Sequence, residues 1–101
     1  MALQVIDSPE RQRYEAVREG TVLGFTAYEH MNQVLVLTHT EVDPALEGQG
    51  IGGALTRAVL DQARSRRLRV LALCPFVRVW LENHPDYHDL EYRLPASRVT
   101  D

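Results

Sequence analysis

The sequence predicts a single α+β domain, built on a mixed, mostly antiparallel twisted sheet with two main helices and one crossover of the α/β type. Two observations support this fold class. Residues 3–42 are rich in β-branched and aromatic residues and fall into short runs, which is typical of strands. After residue 50 the apolar residues recur at helical spacing, and a short apolar run then follows that is typical of a buried parallel strand.

An antiparallel meander is predicted for the first part of the chain, with strands over residues 3–6, 13–18, 21–30 and 34–42. Gly20 lies at one turn, and residues 31–33 form a tight hairpin connection. The run over residues 34–42 is the most apolar and β-branched, so we place it centrally in the sheet. Asp43 and Pro44 end it.

A helix over residues 50–66 follows, because its apolar residues share one face: Ile51, Ala54, Leu55, Ala58, Val59 and Ala63. The strand over residues 68–73 should lie parallel beside residues 34–42, through a right-handed crossover. A second helix over residues 76–83 has Phe76, Val79, Trp80 and Asn83 on one side. For residues 86–101 we expect one more strand and a frayed tail over residues 93–101.

Composition limits the functional classes. A chain of 101 residues can bury one core, and its 45% apolar and 25% charged residues are ordinary for a globular protein. The net charge of −3 and the pI near 5.8 argue against a nucleic-acid partner. Four arginines among residues 64–69 are expected to form a solvated helix end, where cations complement the helix dipole. Nucleic-acid binding through them is the alternative.

Targeting signals and membrane segments are not evident. The amino terminus lacks a basic segment followed by an apolar one, and no stretch is long and apolar enough to span a bilayer. A single cysteine excludes an internal disulfide framework. We therefore expect a soluble, cytoplasmic protein without a membrane partner, present as a monomer or weak homodimer.

The segment over residues 47–55, Glu-Gly-Gln-Gly-Ile-Gly-Gly-Ala-Leu, has four glycines within six positions. Glycine loses the most conformational entropy on folding, so this density needs a reason. The first amides of a helix lack intrahelical acceptors and carry partial positive charge, and a phosphate is their natural ligand. A nucleoside-triphosphate loop is excluded, since the chain contains no lysine. Close helix–sheet packing is the alternative explanation.

Residues 41–55 resemble the acyl-CoA signature of the GNAT superfamily of N-acetyltransferases, commonly Gln/Arg-x-x-Gly-x-Gly/Ala. The resemblance is closer to the minimal branch of about one hundred residues. Its two spaced motifs are present as His39-Thr40-Glu41-Val42 and as Cys74-Pro75-Phe76, followed by Trp80 and His84-Pro85. The match covers residues 12–88.

This resemblance implies a GNAT-like fold and acetyl-CoA (coenzyme A) as the acyl donor, with no metal. Val42 would offer main-chain hydrogen bonds to the pantetheine arm. Glu47 stands where many members carry Arg or Gln, and we expect it to turn away from the phosphates. The short chain leaves little room for the amino-terminal helices that help to wall the acceptor site in full-size members. The pyrophosphate would be surrounded by the amides of Gly48, Gln49, Gly50, Ile51, Gly52 and Gly53.

Acyl transfer to an amine needs a deprotonated amine, a donor for the oxyanion and a proton for the leaving thiolate. Cys74 is one candidate, because a thiol at the start of a helix becomes a better nucleophile, and Pro75 suits a first helical turn. The thiol could accept the acetyl group, line the thioester pocket or protonate the leaving thiol. It could also be an inert buried residue.

His39 and Glu41 alternate on one strand and should face the same side of the sheet. Either could take the amine proton, they could simply bond each other, or His39 could be a core residue. A metal site is a weaker possibility, because Pro85 interrupts the helix that would align its ligands: His84, Asp86, His88 and Asp89. Phe76, Trp80 and Tyr87 are expected to pack, although Tyr87 could edge the cofactor groove.

The sequence thus predicts a small acetyl-CoA-dependent N-acetyltransferase acting on an unidentified amine, either a small molecule or a protein lysine or N-terminus. The alternative is a CoA-binding module that has lost catalysis and acts through a partner protein.

Overall fold

In the computed structural model, which describes residues 3–92, five strands form one sheet in the order β1-β2-β3-β4-β5. The strands are β1 Gln4–Ser8, β2 Arg13–Arg18, β3 Thr21–Met31, β4 Val34–Val42 and β5 Arg69–Ala72. The first four pair antiparallel, and β5 lies parallel to β4. The predicted mixed, mostly antiparallel sheet is therefore confirmed.

The turn between β2 and β3 shows why the meander is regular. Glu19 and Gly20 both have positive φ, 51° and 80°, as a two-residue type I′ turn requires. The predicted bounds of β2 and β4 agree with the structure to the residue. The central position predicted for β4 is confirmed, because β4 lies between β3 and β5 in the sheet. β3 is the middle strand of the five because only β5 is added beyond β4.

Helix α1, Ile51–Ser65, connects β4 to β5 and covers one face of the sheet. Its buried residues follow helical spacing and include Thr56 and Leu60, whereas the predicted Ala54 is exposed. They pack with Tyr14, Leu35 and Leu37 in the core. Each fully buried leucine side chain contributes about 2 kcal/mol. We call the covered face of the sheet the core face and the opposite one the outer face.

Helix α2, Pro75–Glu82, presents a different side to the core from the one predicted. Its buried residues are Val77, Trp80 and Leu81, while Phe76 and Val79 are exposed at 45% and 55%. The apolar residues therefore form two stripes, of which only one reaches the core. Phe76 instead packs against the first turn of α1.

A 3-10 helix, Pro85–Leu90, occupies much of the region where a further strand was predicted. Tyr87 and Leu90 are both buried in the core, and their spacing of three residues suits a 3-10 turn rather than the alternation of a strand. Glu91 forms a single parallel bridge to Val70. The rest of that prediction, including the frayed tail over residues 93–101, lies outside the described residues. No helix within residues 3–92 has the length and apolar character to cross a bilayer.

Candidate functional site

A bulge in β4 decides which side chains face the helices. Tyr28 pairs with Leu37 and Ala27 with His39, so Thr38 has no partner across the ladder. One extra residue reverses the alternation of side chains beyond it. Thr40 therefore shares the core face with Leu37, and its hydroxyl lies 3.1 Å from that of the fully buried Thr26.

The edge of β4 beside β5 is open at its carboxyl end. The two strands pair only over residues 34–37 of β4, and the Leu37 carbonyl accepts from the amides of Leu73 (2.9 Å) and Cys74 (3.0 Å). Within the described chain no strand lies beside residues 38–42 on that edge. The Asp43 amide donates to Leu23, so the main-chain groups of Val42, one residue earlier, point to the open edge.

The loop that follows β4 is shaped by its own sequence. The Asp43 carboxylate accepts from the Ala45 amide at 3.0 Å and starts a 3-10 turn, Pro44–Leu46. Gly48 and Gly50 have φ of 86° and 79°, where a side chain is strained. These two glycines are therefore explained by backbone conformation.

Gly52 is explained by a close approach instead. A Cβ at this position would lie 2.7 Å from the Phe76 ring, so glycine lets that ring pack against the first turn of α1. Gly50 is the N-cap residue of α1, and no side chain caps this end of the helix. The amides of Ile51, Gly52 and Gly53 therefore lack intrahelical acceptors and carry the positive end of the helix dipole.

The open edge, the loop and the two helix starts enclose a cavity of about 380 Å³. It brings together every predicted cofactor-binding residue except Gln49, whose amide donates to the Leu46 carbonyl at 3.2 Å. Glu47, expected to turn away, is the only charged residue among those that line it: Thr40, Val42, Leu46, Glu47, Gly48, Gly50, Ile51, Gly52, Gly53 and Phe76.

The cavity fits a ligand with two chemically different parts. Uncapped amides at the start of α1 suit an anion such as a phosphate ester. Val42, Leu46 and Phe76 provide apolar contact, and the open edge of β4 offers main-chain donors and acceptors to an extended chain. A nucleotide diphosphate joined to an extended amide arm has this combination of groups.

Cys74 lies beside this cavity at the N-cap of α2, with Pro75 in the first turn, as predicted. Its side chain is buried, and its thiol donates to the Thr40 hydroxyl at 3.4 Å between sulfur and oxygen. Thr40 is part of the cavity wall, so its side chain stands between the thiol and the cavity.

A family model described as GCN5-related N-acetyl-transferase matches residues 13–90. This chain belongs to that family. A GCN5-like protein from Staphylococcus aureus is 28% identical over 95% of this chain and 94% of its own, with a TM-score of 0.70. The predicted GNAT resemblance and fold are confirmed.

Two larger solved structures are also similar to this GNAT chain. A GNAT family acetyltransferase from Brucella melitensis, in complex with acetyl-CoA, is 32% identical over 60% of this chain and 44% of its own, with a TM-score of 0.53. A ribosomal-protein-alanine N-acetyltransferase from the same species is 20% identical over 88% of this chain and 67% of its own, and its TM-score of 0.58 supports the fold alone. No curated protein sequence matches the chain significantly.

His39 and Glu41 share one face of the sheet in this GNAT domain, as their alternation predicts. The imidazole Nε2 lies 2.8 Å from the Glu41 carboxylate, and their side chains are 58% and 63% exposed. Because Thr40 between them faces the core, the pair lies on the outer face, where the Phe25 ring is 6.1 Å from the imidazole. The structure therefore brings this pair neither into the cavity nor beside Cys74.

His84 and His88, which the weaker metal hypothesis named as ligands, each contact a main-chain carbonyl instead. His84 Nδ1 lies 2.6 Å from the Trp80 oxygen, and His88 Nε2 lies 2.6 Å from the Leu81 oxygen. A carbonyl can only accept, so both nitrogens donate and satisfy carbonyls at the end of α2. Over residues 3–92 no three potential ligands are grouped around a metal-sized site.

The arginines near the end of α1 contact neighbouring groups of the domain. Arg64 pairs with the Asp89 carboxylate at 2.5 Å, and Arg69 donates to the Asp89 carbonyl at 2.9 Å. Arg66 donates to the Tyr14 hydroxyl at 3.3 Å. Through these contacts three of the four arginines bond to residues of other elements of the domain.

Sequence reasoning missed Thr40, Leu46 and the cavity-facing role of Phe76. Thr40 belongs to the motif His39-Thr40-Glu41-Val42, but strict alternation along β4 would place its side chain on the other face of the sheet from Leu37. Only the bulge moves it to the core face, and no residue in β4 marks that bulge.

Proposed function

We propose that this GNAT domain is an acetyl-CoA-dependent N-acetyltransferase that moves the acetyl group to an amine, either on a small molecule or at a protein lysine or N-terminus. The single observation that carries the proposal is the cavity itself, which joins the uncapped first turn of α1 to the open edge of β4. The acetyl-CoA complex of the Brucella relative supports the choice of donor.

The proposed placement of the cofactor uses both parts of the cavity. The amides of Ile51, Gly52 and Gly53 would hold the diphosphate, and the main chain of Val42 would bind the pantetheine arm. Phe76 would cover that arm with its ring. The bound donor would supply the thioester carbonyl from which the acetyl group is transferred.

Cys74 has two possible roles in the proposal. In the covalent route its sulfur attacks the thioester carbonyl, coenzyme A leaves as the thiol with the cysteine proton, and the amine then displaces the acetyl group and returns a proton to the cysteine. In the direct route the amine attacks the donor, Cys74 protonates the leaving thiolate, and the cysteine thiolate regains the proton that the amine nitrogen releases. Each route balances protons, and each requires the thiol beside the cavity wall.

We place the acceptor on the outer face, where His39 and Glu41 are exposed. Either side chain can take the amine proton, directly or through water, and the 2.8 Å contact lets each stabilise charge on the other. The proposal therefore brings the donor to the open edge of β4 from the core face and the acceptor to the same edge from the outer face.

The alternative remains a CoA-binding module without catalysis that acts through a partner protein. One observation favours it. Glu47 lines the cavity, and a carboxylate beside phosphates opposes tight cofactor binding.

Two measurements test the proposal. In a titration of isotope-labelled protein with coenzyme A, we expect the amide resonances of residues 48–53 to shift, and unmoved resonances at saturating ligand would contradict the site. Acetyl-CoA consumption with a panel of amines then separates the two functions. Turnover with at least one amine supports the transferase, whereas binding without turnover supports the module.

A further inference from the structure

The indole N–H of Trp80 lacks a hydrogen-bond partner among residues 3–92. The side chain is only 9% exposed, and its contacts there are with aromatic rings and a guanidinium. The Nε1 atom itself is not fully buried, since Arg18 Nε alone is a fully buried side-chain nitrogen or oxygen without a partner among the described residues. The indole N–H therefore reaches the surface without an acceptor from the protein and is available to a ligand.

Glycine at position 53 leaves this N–H uncovered. The Trp80 Nε1 atom lies 3.5 Å from where a Cβ on Gly53 would stand, so a side chain there would be in van der Waals contact with the donor and would cover it. Gly53 also lines the cavity, and its own amide is in the first turn of α1. The Trp80 donor thus lies beside Gly53, one of the residues that line the cavity, although Trp80 itself does not line it.

Arg57 adds positive charge one turn further along α1. Its guanidinium lies 5.3 Å from the centre of the Trp80 ring and donates to the Tyr87 hydroxyl at 3.2 Å. That hydroxyl in turn donates to Asp61 at 2.6 Å, a bond that raises the pKa of Tyr87. No carboxylate of the described chain forms a direct ion pair with Arg57.

The indole is held in place before any ligand arrives. His84 stacks on it with ring centres 3.6 Å apart and planes within 8°, and Tyr87 meets it edge-on at 5.3 Å. A donor fixed in this way binds without first losing side-chain freedom.

We propose that the Trp80 indole N–H donates to a phosphate group of the cofactor's nucleotide, with Arg57 as the neighbouring cation. The Gly53 amide, the indole and the guanidinium are all donors, which suits a ligand of several anionic oxygens. This inference rests on the proposed function, because that function brings coenzyme A to the cavity. The positive charge of Arg57 would also offset the negative charge of Glu47.

The chain has one tryptophan, so its indole N–H gives a single resonance that can be followed without any substitution. We expect coenzyme A to move this resonance downfield and pantetheine, which has no phosphate, to leave it in place. If 3′-dephospho-CoA also shifts the resonance, the indole contacts the diphosphate. If that ligand does not shift it, the indole contacts the 3′-phosphate. The side-chain amide of Asn32, at the distant β3–β4 turn, is the internal control.

Two outcomes would overturn this assignment alone: amides of residues 48–53 that shift while the indole does not, or an indole that responds equally to pantetheine. If neither the amides nor the indole respond to coenzyme A, the proposed function fails as well.

A substitution gives a second test. Trp80→Phe keeps an aromatic ring but removes the N–H, and we expect the affinity for coenzyme A to fall about tenfold, as for a lost bond to a charged group. The affinity for pantetheine should stay unchanged. Tyr28→Phe, which removes a buried hydroxyl elsewhere, is the matched control and should bind both ligands normally. Wild-type affinity for coenzyme A in Trp80→Phe would contradict the assignment.

Discussion

The thiol of Cys74 donates a hydrogen bond to the hydroxyl of Thr40, which also lies 3.1 Å from the hydroxyl of Thr26. A hydroxyl both donates and accepts, so this pair of threonines can serve a thiol in one orientation and a thiolate in the other. The buried cysteine is thereby connected to the cavity wall.

Replacing Thr40 with valine keeps the shape of the side chain and removes the hydroxyl. We expect acetyl transfer to fall about tenfold, because the bond to the sulfur is lost, with the affinity for coenzyme A unchanged. Thr40→Ser should restore most of the rate. Thr38→Val, at an exposed position two residues earlier, is the control in steady-state kinetics. A wild-type rate in Thr40→Val would show that the contact is not used.

Cys74→Ala should retain the affinity for coenzyme A and lose acetyl transfer, because it removes both the nucleophile and the nearby proton donor. Mass spectrometry after incubation with acetyl-CoA should detect an acetyl adduct on the wild-type protein. The chain has one cysteine and no lysine, so an adduct removed by hydroxylamine identifies a thioester on Cys74. Transfer without an adduct would assign the direct route, and full activity in Cys74→Ala would exclude both routes.

Gly50→Ala should lower the free energy of unfolding by about 1 kcal/mol, because the residue is in the left-handed region. Gly20→Ala is a matched control, since its φ of 80° is almost the same as the 79° of Gly50 and it lies in a hairpin turn away from the cavity. We expect both variants to lose similar stability in urea unfolding, and only Gly50→Ala to bind coenzyme A several-fold more weakly. Equal affinities of the two variants for coenzyme A would show that the loop around Gly50 does not bind the cofactor.

Glu41→Gln tests the outer face. The His39–Glu41 pair is exposed, so the free energy of unfolding should change by less than about 0.5 kcal/mol. If the pair accepts the amine proton, we expect kcat to fall about a hundredfold without a change in cofactor affinity. His39→Gln should lower kcat in the same direction. Unchanged kcat in both variants would leave the pair as a surface hydrogen bond only.

The raised pKa values of two buried tyrosines predict a loss of stability at alkaline pH. Burial raises the pKa of Tyr14, and burial together with the bond to Asp7 raises the pKa of Tyr28 far above its ordinary value of 10.0. The folded protein therefore keeps protons that the unfolded chain releases above that pH. The contribution of these tyrosines to the free energy of unfolding should be constant below that pH and be lost as the pH rises further.

Urea unfolding across this range measures that slope. Tyr28→Phe should have a shallower alkaline slope, because its share of the titration is removed. A slope equal to that of wild type would show that Tyr28 does not contribute.

The bounds of the meander and the position of α1 could be read from the sequence, because they depend on local chemistry. Gly20 and the alternation of residues 13–18 specify strand and turn within a few neighbouring residues. The glycines at 48 and 50 likewise show where the chain must turn into a helix. Two motifs in the right order were enough to predict the family, and the match of the family model to residues 13–90 confirms it.

The side on which each functional group lies was decided only by the tertiary structure. One unpartnered residue, Thr38, moves Thr40 to the core face and leaves His39 and Glu41 on the outer face. A bulge arises from pairing between strands distant in sequence, so no local pattern reports it. The meeting of Trp80 with Gly53 depends in the same way on two helices packing together. Sequence by itself determined the strands of the meander and the two main helices, and packing between elements determined which residues share a site.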